Sequence, residues 1–243
     1  MGIPIMSNLI ALDWRQLPVL LRGESKTIQP WIQEWNTRRA LLYVAVIVLG
    51  TGLYGAAMGW WRSPLQAFYT AFKLPLVILL TTVGNALLNG MLAPLLGLNI
   101  GFRQSLTVVL SSFTIAAAIL GSFSPQVFFI VWNTPAVTAS SHLSGRAYSF
   151  MQLTHVALIA FAGVVANLRL FPLLQSLSKS NGVACKVLFA WLAGNLFLGS
   201  QICWVLRPFI GPPEMKVEFL GSHPFQGSLY ETVFEAARHL IND

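Results

Sequence analysis

The polar side chains that first attract a functional interpretation are four amides and one histidine inside long apolar runs. Asn85 and Asn89 lie four residues apart, so they share one face of a helix. Asn195, Gln201 and His155 lie in two other runs. Polar groups in such runs either form hydrogen bonds between helices or line a path for a solute or an ion. Both interpretations stay open, but a proton relay through His155 has no carboxylate partner in these runs.

Groups for acid–base, nucleophilic or metal catalysis are scarce. No Asp or Glu occurs between Glu34 and Glu214, a stretch of 179 residues, so paired carboxylates for general acid–base work are missing there. The histidines are widely spaced, and Cys185 and Cys203, 18 positions apart, give neither a metal-ligand spacing nor a disulfide framework. No serine stands in a GxSxG motif. The sequence therefore predicts a protein that is not an enzyme and that uses no cofactor or metal.

The composition points to lipid as the solvent. Of the 243 residues, 55% are hydrophobic and only 9% are charged, against about 25% charged in soluble domains. The net charge of +7 comes from bases that mostly stand beside apolar runs, with Lys73 among them. Such bases typically face lipid head groups. No basic stripe with interleaved aromatic residues occurs on a polar segment, so we expect no nucleic-acid partner.

Five apolar runs are long enough for membrane-spanning helices, which need about 20 residues each. The third run contains Ser124 and Pro125, which predict a break or a kink. The predicted fold class is all-α: a polytopic membrane bundle of about five spans with amphipathic interfacial helices at both ends. The predicted spans are residues 40–61, 74–96, 106–132 (kinked near 125), 150–168 and 187–206.

Three regions follow from this pattern. Residues 1–39 carry apolar side chains at helical spacing and predict an amphipathic interfacial segment. Residues 40–207 form the predicted transmembrane bundle. Residues 208–243 begin with a Pro- and Gly-rich loop and end in a predicted amphipathic helix, which starts at a capping-box pattern from Ser228 to Glu231. We expect this last helix to dock on the membrane, on the bundle or on a partner.

Two further motifs concern packing and the exit from the membrane. Gly52, Gly55 and Gly59 crowd the first span, and the last two form a GxxxG pattern for close helix packing, within the bundle or with a second copy. After the last span, Arg207, Pro208 and Gly211 predict an abrupt helix end that presents the following loop rigidly to a partner.

Several short strings resemble a known group of proteins. They are residues 73–75 (KLP), 199–201 (GSQ) with Trp204, 206–212 (LRPFIGP) and 225–231 (FQGSLYE). These strings resemble an uncharacterised group of bacterial five-span membrane proteins over about residues 60–235, and that group is remotely similar to the Yip family of membrane-trafficking proteins. The resemblance implies five crossings and a bacterial inner membrane, and it implies no catalytic residue.

Orientation follows from the basic residues on the two sides. The amino-terminal side carries nine Lys and Arg residues and the opposite side six. Because cytoplasmic segments are enriched in these residues, the count predicts a cytoplasmic amino terminus.

The sequence favours a non-enzymatic scaffold or subunit of a membrane complex. Its expected partners are the lipid bilayer and either a second copy or another membrane protein. The alternative is an oligomeric channel or small-solute transporter in which the four amides line a path. A third hypothesis, a lipid-handling protein, rests on the interfacial helices alone.

Overall fold

The protein is all-helical. The computed structural model describes residues 13–135, 142–178, 180–211, 216–221 and 223–242, and these contain eight α-helices and no strand. Five of the described helices, α3 to α7, are long and apolar enough to cross a membrane. The predicted fold class and the predicted number of spans are therefore confirmed. The helices are α1 (Gln16–Arg22), α2 (Ser25–Gln33), α3 (Thr37–Trp60), α4 (Pro64–Leu95), α5 (Phe102–Asn133), α6 (His142–Ser178), α7 (Asn181–Val205) and α8 (Leu229–Asn242).

The most extensive helix contacts in the bundle are those of α3. It packs against α4 and α5, while α7 packs against α4 and α6 packs against both α5 and α7. Successive spanning helices alternate in direction, so α3, α5 and α7 end on the side where α4 and α6 begin. We call this side, opposite the start of α3, the far side. The segment after α7 and helix α8 lie there, and α8 contacts α6 and α7.

The second span begins ten residues earlier than predicted. Helix α4 starts at Pro64, with the Ser63 side chain accepting a hydrogen bond from the Gln66 backbone N–H at 3.0 Å. A serine N-cap followed by proline is a stronger start signal than Pro75, the second residue of the predicted span. Pro75 instead lies inside α4, where the carbonyl of Ala71 that it leaves free lies against Gly52 of α3.

Of the two predicted alternatives for the third span, a break or a kink near Pro125, the structure shows no break. Helix α5 continues through Pro125 to Asn133. The proline costs the backbone bond to the Gly121 carbonyl, but the helix continues on both sides of it. Residues 127–132 therefore extend this helix.

The other spans also differ from the predicted bounds. Helix α6 has 37 residues, so it extends beyond the predicted 150–168 at both ends, while α3 and α7 start three and six residues early. The predictions followed the apolar stretch, but a helix keeps its backbone bonds beyond the hydrocarbon. At about 1.5 Å per residue, α6 is long enough to cross the bilayer and project from it.

The glycines of α3 let two neighbouring helices approach closely. A methyl group at Gly55 would lie 2.5 Å from the Thr70 carbonyl oxygen, and one at Gly59 would lie 2.6 Å from the Gln66 carbonyl oxygen, both on α4. On another face, a methyl group at Gly50 would collide with the Ala117 carbonyl of α5. Because α4 occupies the GxxxG face, a second copy of the chain would have to use other surfaces.

The first two helices pack on the bundle. Helix α2 buries Ile28 and Ile32 and contacts α5 and α6, and α1 buries Leu20. Arg39 at the start of α3 joins them, since it donates to the Trp31 carbonyl at 3.0 Å and to Gln16 Oε1 at 3.1 Å. The amphipathic pattern before residue 13 lies outside the described residues.

Substitution of Gly55 tests the close approach of α3 and α4. We expect Gly55→Ala to lower the free energy of unfolding by about 1–3 kcal/mol, because the methyl group meets backbone that cannot move aside. The measurement is reversible unfolding of the purified protein in mixed micelles. The matched control is Gly163→Ala in α6, where nothing lies within 4 Å of the added methyl. Equal effects of the two substitutions would contradict the packing described.

Candidate functional site

The intramembrane asparagines form hydrogen bonds to one another between helices. Asn85 Nδ2 donates to Asn195 Oδ1, which joins α4 to α7, and Asn89 Nδ2 donates to Asn85 Oδ1 at 3.3 Å. Gly194 gives Asn85 room, since a methyl group there would lie 2.8 Å from Asn85 Oδ1. Gln201 is exposed on α7 and does not join this group. Three of the four predicted amides therefore lie together, in an arrangement that ties α4 to α7.

His155 belongs to a different place in the bundle. It is 3% exposed, and its Nδ1 lies 2.9 Å from the hydroxyl of Tyr54 on α3. The two rings meet edge to face, with centroids 5.6 Å apart. The other ring nitrogen, Nε2, is buried without a hydrogen-bond partner. The structure thus separates His155 from the asparagines, with which the sequence analysis had grouped it.

One face of α4 holds the segment that follows α7. Gln66, Thr70 and Lys73 are spaced four and three residues apart, so they share that face. Gln66 Nε2 donates to the carbonyls of Pro208 and Phe209, at 3.0 and 2.7 Å. Thr70 Oγ1 donates to the Phe209 carbonyl at 2.7 Å. These bonds satisfy the carbonyls of a segment that has no helical partners for them.

Lys73 corrects an expectation of the sequence analysis. It was expected to face lipid head groups, but its side chain is 0% exposed. Its ammonium donates to the Pro208 carbonyl at 2.7 Å and lies over the rings of Phe209 and Phe219, 5.9 and 4.9 Å from their centroids. A carbonyl and two aromatic faces thus compensate the charge. The start of α4 at Pro64 explains the difference, because it places Lys73 well inside the helix.

Arg207 fixes the next part of the same segment. Its Nη1 donates to the carbonyls of Trp204 and Pro224, at 2.9 and 3.0 Å. Its Nη2 donates to the carbonyls of His223 and Gln226, at 2.7 and 2.9 Å. The guanidinium also lies 3.7 Å from the centroid of the Trp204 ring. Burial lowers the pKa of Arg207 from its ordinary value, and among the described residues no carboxylate forms an ion pair with it.

We call the described part of residues 207–242 the far-side cap. Besides Arg207, it is held by the Trp204 indole, which donates to the Gln226 carbonyl at 2.8 Å. Tyr230 of α8 bonds to Ser200 Oγ at 2.9 Å and donates to the Leu196 carbonyl at 3.2 Å. Of the three predicted docking places for the last helix, the structure shows the bundle.

A pocket of about 550 Å³ lies beneath the cap, between the far-side halves of α3, α4, α6 and α7. His155 and Gln152 line it from α6, and Arg207 and Pro208 line it from the cap. Gln152 Oε1, like His155 Nε2, is buried without a hydrogen-bond partner. Gly211 is also part of the wall, so the membrane-exit motif Arg207, Pro208 and Gly211 contributes to the pocket as a unit. The described asparagines Asn85, Asn89 and Asn195 do not line it.

Sequence reasoning missed Gln66, Thr70 and Gln152. The first two, with Lys73, form an i, i+4, i+7 polar stripe that was visible in the sequence, but the start assigned to the helix hid it. Gln152 lies three residues before His155, on the same helix face. That spacing was a usable signal for a second polar group beside the histidine.

These features define a class: a multi-pass helical membrane protein with a fixed cap and a pocket beneath it on one side of the bundle. No family model matches the sequence, and no curated protein or solved structure matches the chain.

Replacement of Arg207 tests its part in holding the cap. We expect Arg207→Lys to speed hydrogen exchange at the Gln226 amide by about tenfold or more, because a lysine cannot bond four carbonyls in two directions. Exchange is measured by mass spectrometry on the purified protein. Arg103→Lys, at an exposed position of α5 on the amino-terminal side, is the control. Unchanged exchange in Arg207→Lys would show that other contacts hold the cap.

Proposed function

We propose that the protein is a non-enzymatic scaffold or subunit of a membrane complex, which it joins through the far-side cap. The observation that carries the proposal is the fixing of the cap by two cations, Lys73 and Arg207, that bond to backbone carbonyls. Desolvating a cation is costly unless it is well bonded. Because the cations avoid that cost only while they bond to these carbonyls, the irregular segment is held in one conformation.

A fixed surface is suited to binding. A partner that meets it does not have to order the segment first, and this saved entropy strengthens association. The cap exposes large apolar side chains beyond the end of α7: Phe225 is 83% exposed, Phe234 70% and Ile241 82%. Exposed apolar side chains gathered on one surface are typical of interaction sites.

The absence of a catalytic set is part of the same proposal. No group of three or more His, Cys, Asp or Glu side chains lies together among the described residues. The groups that hold the cap are its backbone carbonyls, the rings of Phe209 and Phe219, and the Arg207 guanidinium, whose terminal N–H groups are already bonded. Such groups support binding, and they offer no nucleophile with an adjacent base.

The partner class is a second membrane protein or a second copy of this chain. Helix α7 supports this, since all but one of its buried residues form one narrow stripe, and most of its remaining surface is free to face lipid or another protein. Phe189, Leu196 and Phe197 are each more than half exposed on that surface. The stripe consists of Ala184, Val187 and Trp191, while Ser200 lies on the opposite face, where Tyr230 of α8 covers it.

The channel alternative has weaker support. Its proposed path depended on four amides, but Asn85, Asn89 and Asn195 bond to one another and Gln201 is exposed. Amides bonded in this way have fewer free groups for a passing solute.

The proposed location is a bacterial inner membrane with a cytoplasmic amino terminus. The excess of basic residues on the amino-terminal side supports the orientation. The resemblance to bacterial five-span proteins supports the membrane, and the five apolar helices agree with the topology of that group. In this orientation the far-side cap faces away from the cytoplasm.

Extraction from native membranes tests the scaffold proposal. We expect the protein to leave the membrane in mild detergent as part of a larger complex, whose other members are identified by mass spectrometry. Phe225→Ser combined with Phe234→Ser should release the partner, because both side chains are exposed on the cap. The control is Leu95→Ser, which also replaces an exposed apolar side chain. Leu95 is 82% exposed and lies at the end of α4 that is away from the cap. The proposal would be contradicted if the native protein, the double variant and the Leu95→Ser control were all extracted without a partner.

Substitution of the asparagines separates the scaffold from the channel. We expect Asn85→Leu with Asn89→Leu to lower stability by about 1–2 kcal/mol, because the bonds between α4 and α7 are lost. Solute flux into liposomes should not change selectively. Gln201→Leu, at an exposed position, should change neither property. A selective flux defect in a stably folded double variant would favour the channel.

A further inference from the structure

The pocket beneath the cap contains two buried polar groups that no protein group satisfies. Gln152 Oε1 and His155 Nε2 both belong to residues of its wall, and neither has a hydrogen-bond partner. An unbonded polar atom in a buried site costs free energy. The two residues are three positions apart on α6, so their side chains lie side by side. The scaffold function uses neither of them.

Tyr54 determines which nitrogen of His155 carries the proton. The Tyr54 hydroxyl is buried, and among the described residues its hydrogen-bond partner is His155 Nδ1. If Tyr54 accepted that bond, its own proton would be left without a partner in a buried site. Tyr54 therefore donates to Nδ1, and a neutral imidazole then carries its proton on Nε2. The pocket thus contains an N–H donor at His155 and a carbonyl acceptor at Gln152.

The rest of the wall is mainly apolar. Met58, Leu74, Ile159, Ile210 and Leu229 line it, and its volume of about 550 Å³ is typical of small-molecule sites. Arg207 also stands on the wall, but both of its terminal nitrogens are bonded to cap carbonyls. An anionic head group would therefore lose its hydration without gaining these donors, which favours an uncharged ligand.

We propose that this pocket binds an uncharged single-chain amphiphile with a hydroxyl head. A hydroxyl accepts from His155 Nε2 and donates to Gln152 Oε1, so one group satisfies both buried atoms. The alkyl chain packs against the apolar wall. The ligand is either a free long-chain alcohol or a lipid with one chain and a free hydroxyl, since both present the same chemistry.

Photolabelling tests the proposal on the full chain in lipid nanodiscs. The probe is octadecanol with a diazirine in the middle of its chain, and labelled peptides are located by mass spectrometry. We expect labelling of α6 and of the cap that is reduced by unlabelled octadecanol or by monooleoylglycerol. Competition by the first compound alone would assign the site to a free alcohol, and competition by both would include hydroxylated lipids.

Two variants connect the label to the pocket. Ile159→Trp fills the apolar part and should abolish labelling, while Ala160→Trp, at the adjacent exposed position, should not. Gln152→Leu should weaken octadecanol competition about tenfold, because the hydroxyl loses its acceptor while the shape of the wall is kept. Thermal unfolding of each variant shows that it is folded before labelling is compared.

Three results would overturn the proposal. Labelling that survives Ile159→Trp in the folded protein would place the probe outside the pocket. Equal competition by octadecane would show that the site takes any alkyl chain and does not recognise a hydroxyl. Stronger competition by stearate than by octadecanol would show that Arg207 selects an anion.

Discussion

The bonding of two cations, the buried Lys73 and the half-buried Arg207, to backbone carbonyls is the interaction on which the far side of this protein depends. The long stretch without carboxylates leaves Lys73 without an acid on its own or a neighbouring spanning helix. The Pro208 carbonyl accepts from Lys73 instead, and the Phe209 carbonyl accepts from Thr70, because the chain leaves α7 without continuing as a helix. The carbonyls after α7 lack helical donors, and the Lys73 ammonium lacks an anion, so each group supplies the partner that the other needs. The membrane-exit segment is therefore folded back against α4 and does not extend into solvent.

The same contacts produce the pocket. Arg207 draws residues 223–226 over the end of α7, and α8 then lies against α6 and α7, so the gap between these helices is roofed. The outer surface of the cap and the pocket beneath it, for which we propose different functions, thus depend on one set of hydrogen bonds. A change that loosened the cap would affect both of them. The asparagines of α4 and α7 are separate from this set and join the two helices elsewhere.

Sequence reasoning predicted the fold class and the number of spans because apolar length is a strong signal. Helix ends were harder to predict, since residues 64–73 are less apolar than the run that follows them and hydropathy alone assigns them to a loop. The asparagines were correctly singled out as polar groups within spans, but their partners depend on which helices are neighbours. The pocket was not predictable, because it combines α3, α4, α6, α7 and a segment whose return to α4 depends on Lys73. No local pattern contains that information.

The packing of α3 against the two helices that follow it in the chain has a consequence for biosynthesis. Helix α3 leaves the ribosome before the other four described spanning helices, and α4 and α5, which follow directly, are the helices that pack against its glycine faces. A three-helix unit is therefore complete before α6 and α7 are made, in keeping with the tendency of amino-terminal parts to fold first during synthesis. Lys73, by contrast, enters the membrane long before Pro208 exists. Until α7 has been inserted, the ammonium of Lys73 has to be solvated by water or bound by lipid phosphate or an assembly factor.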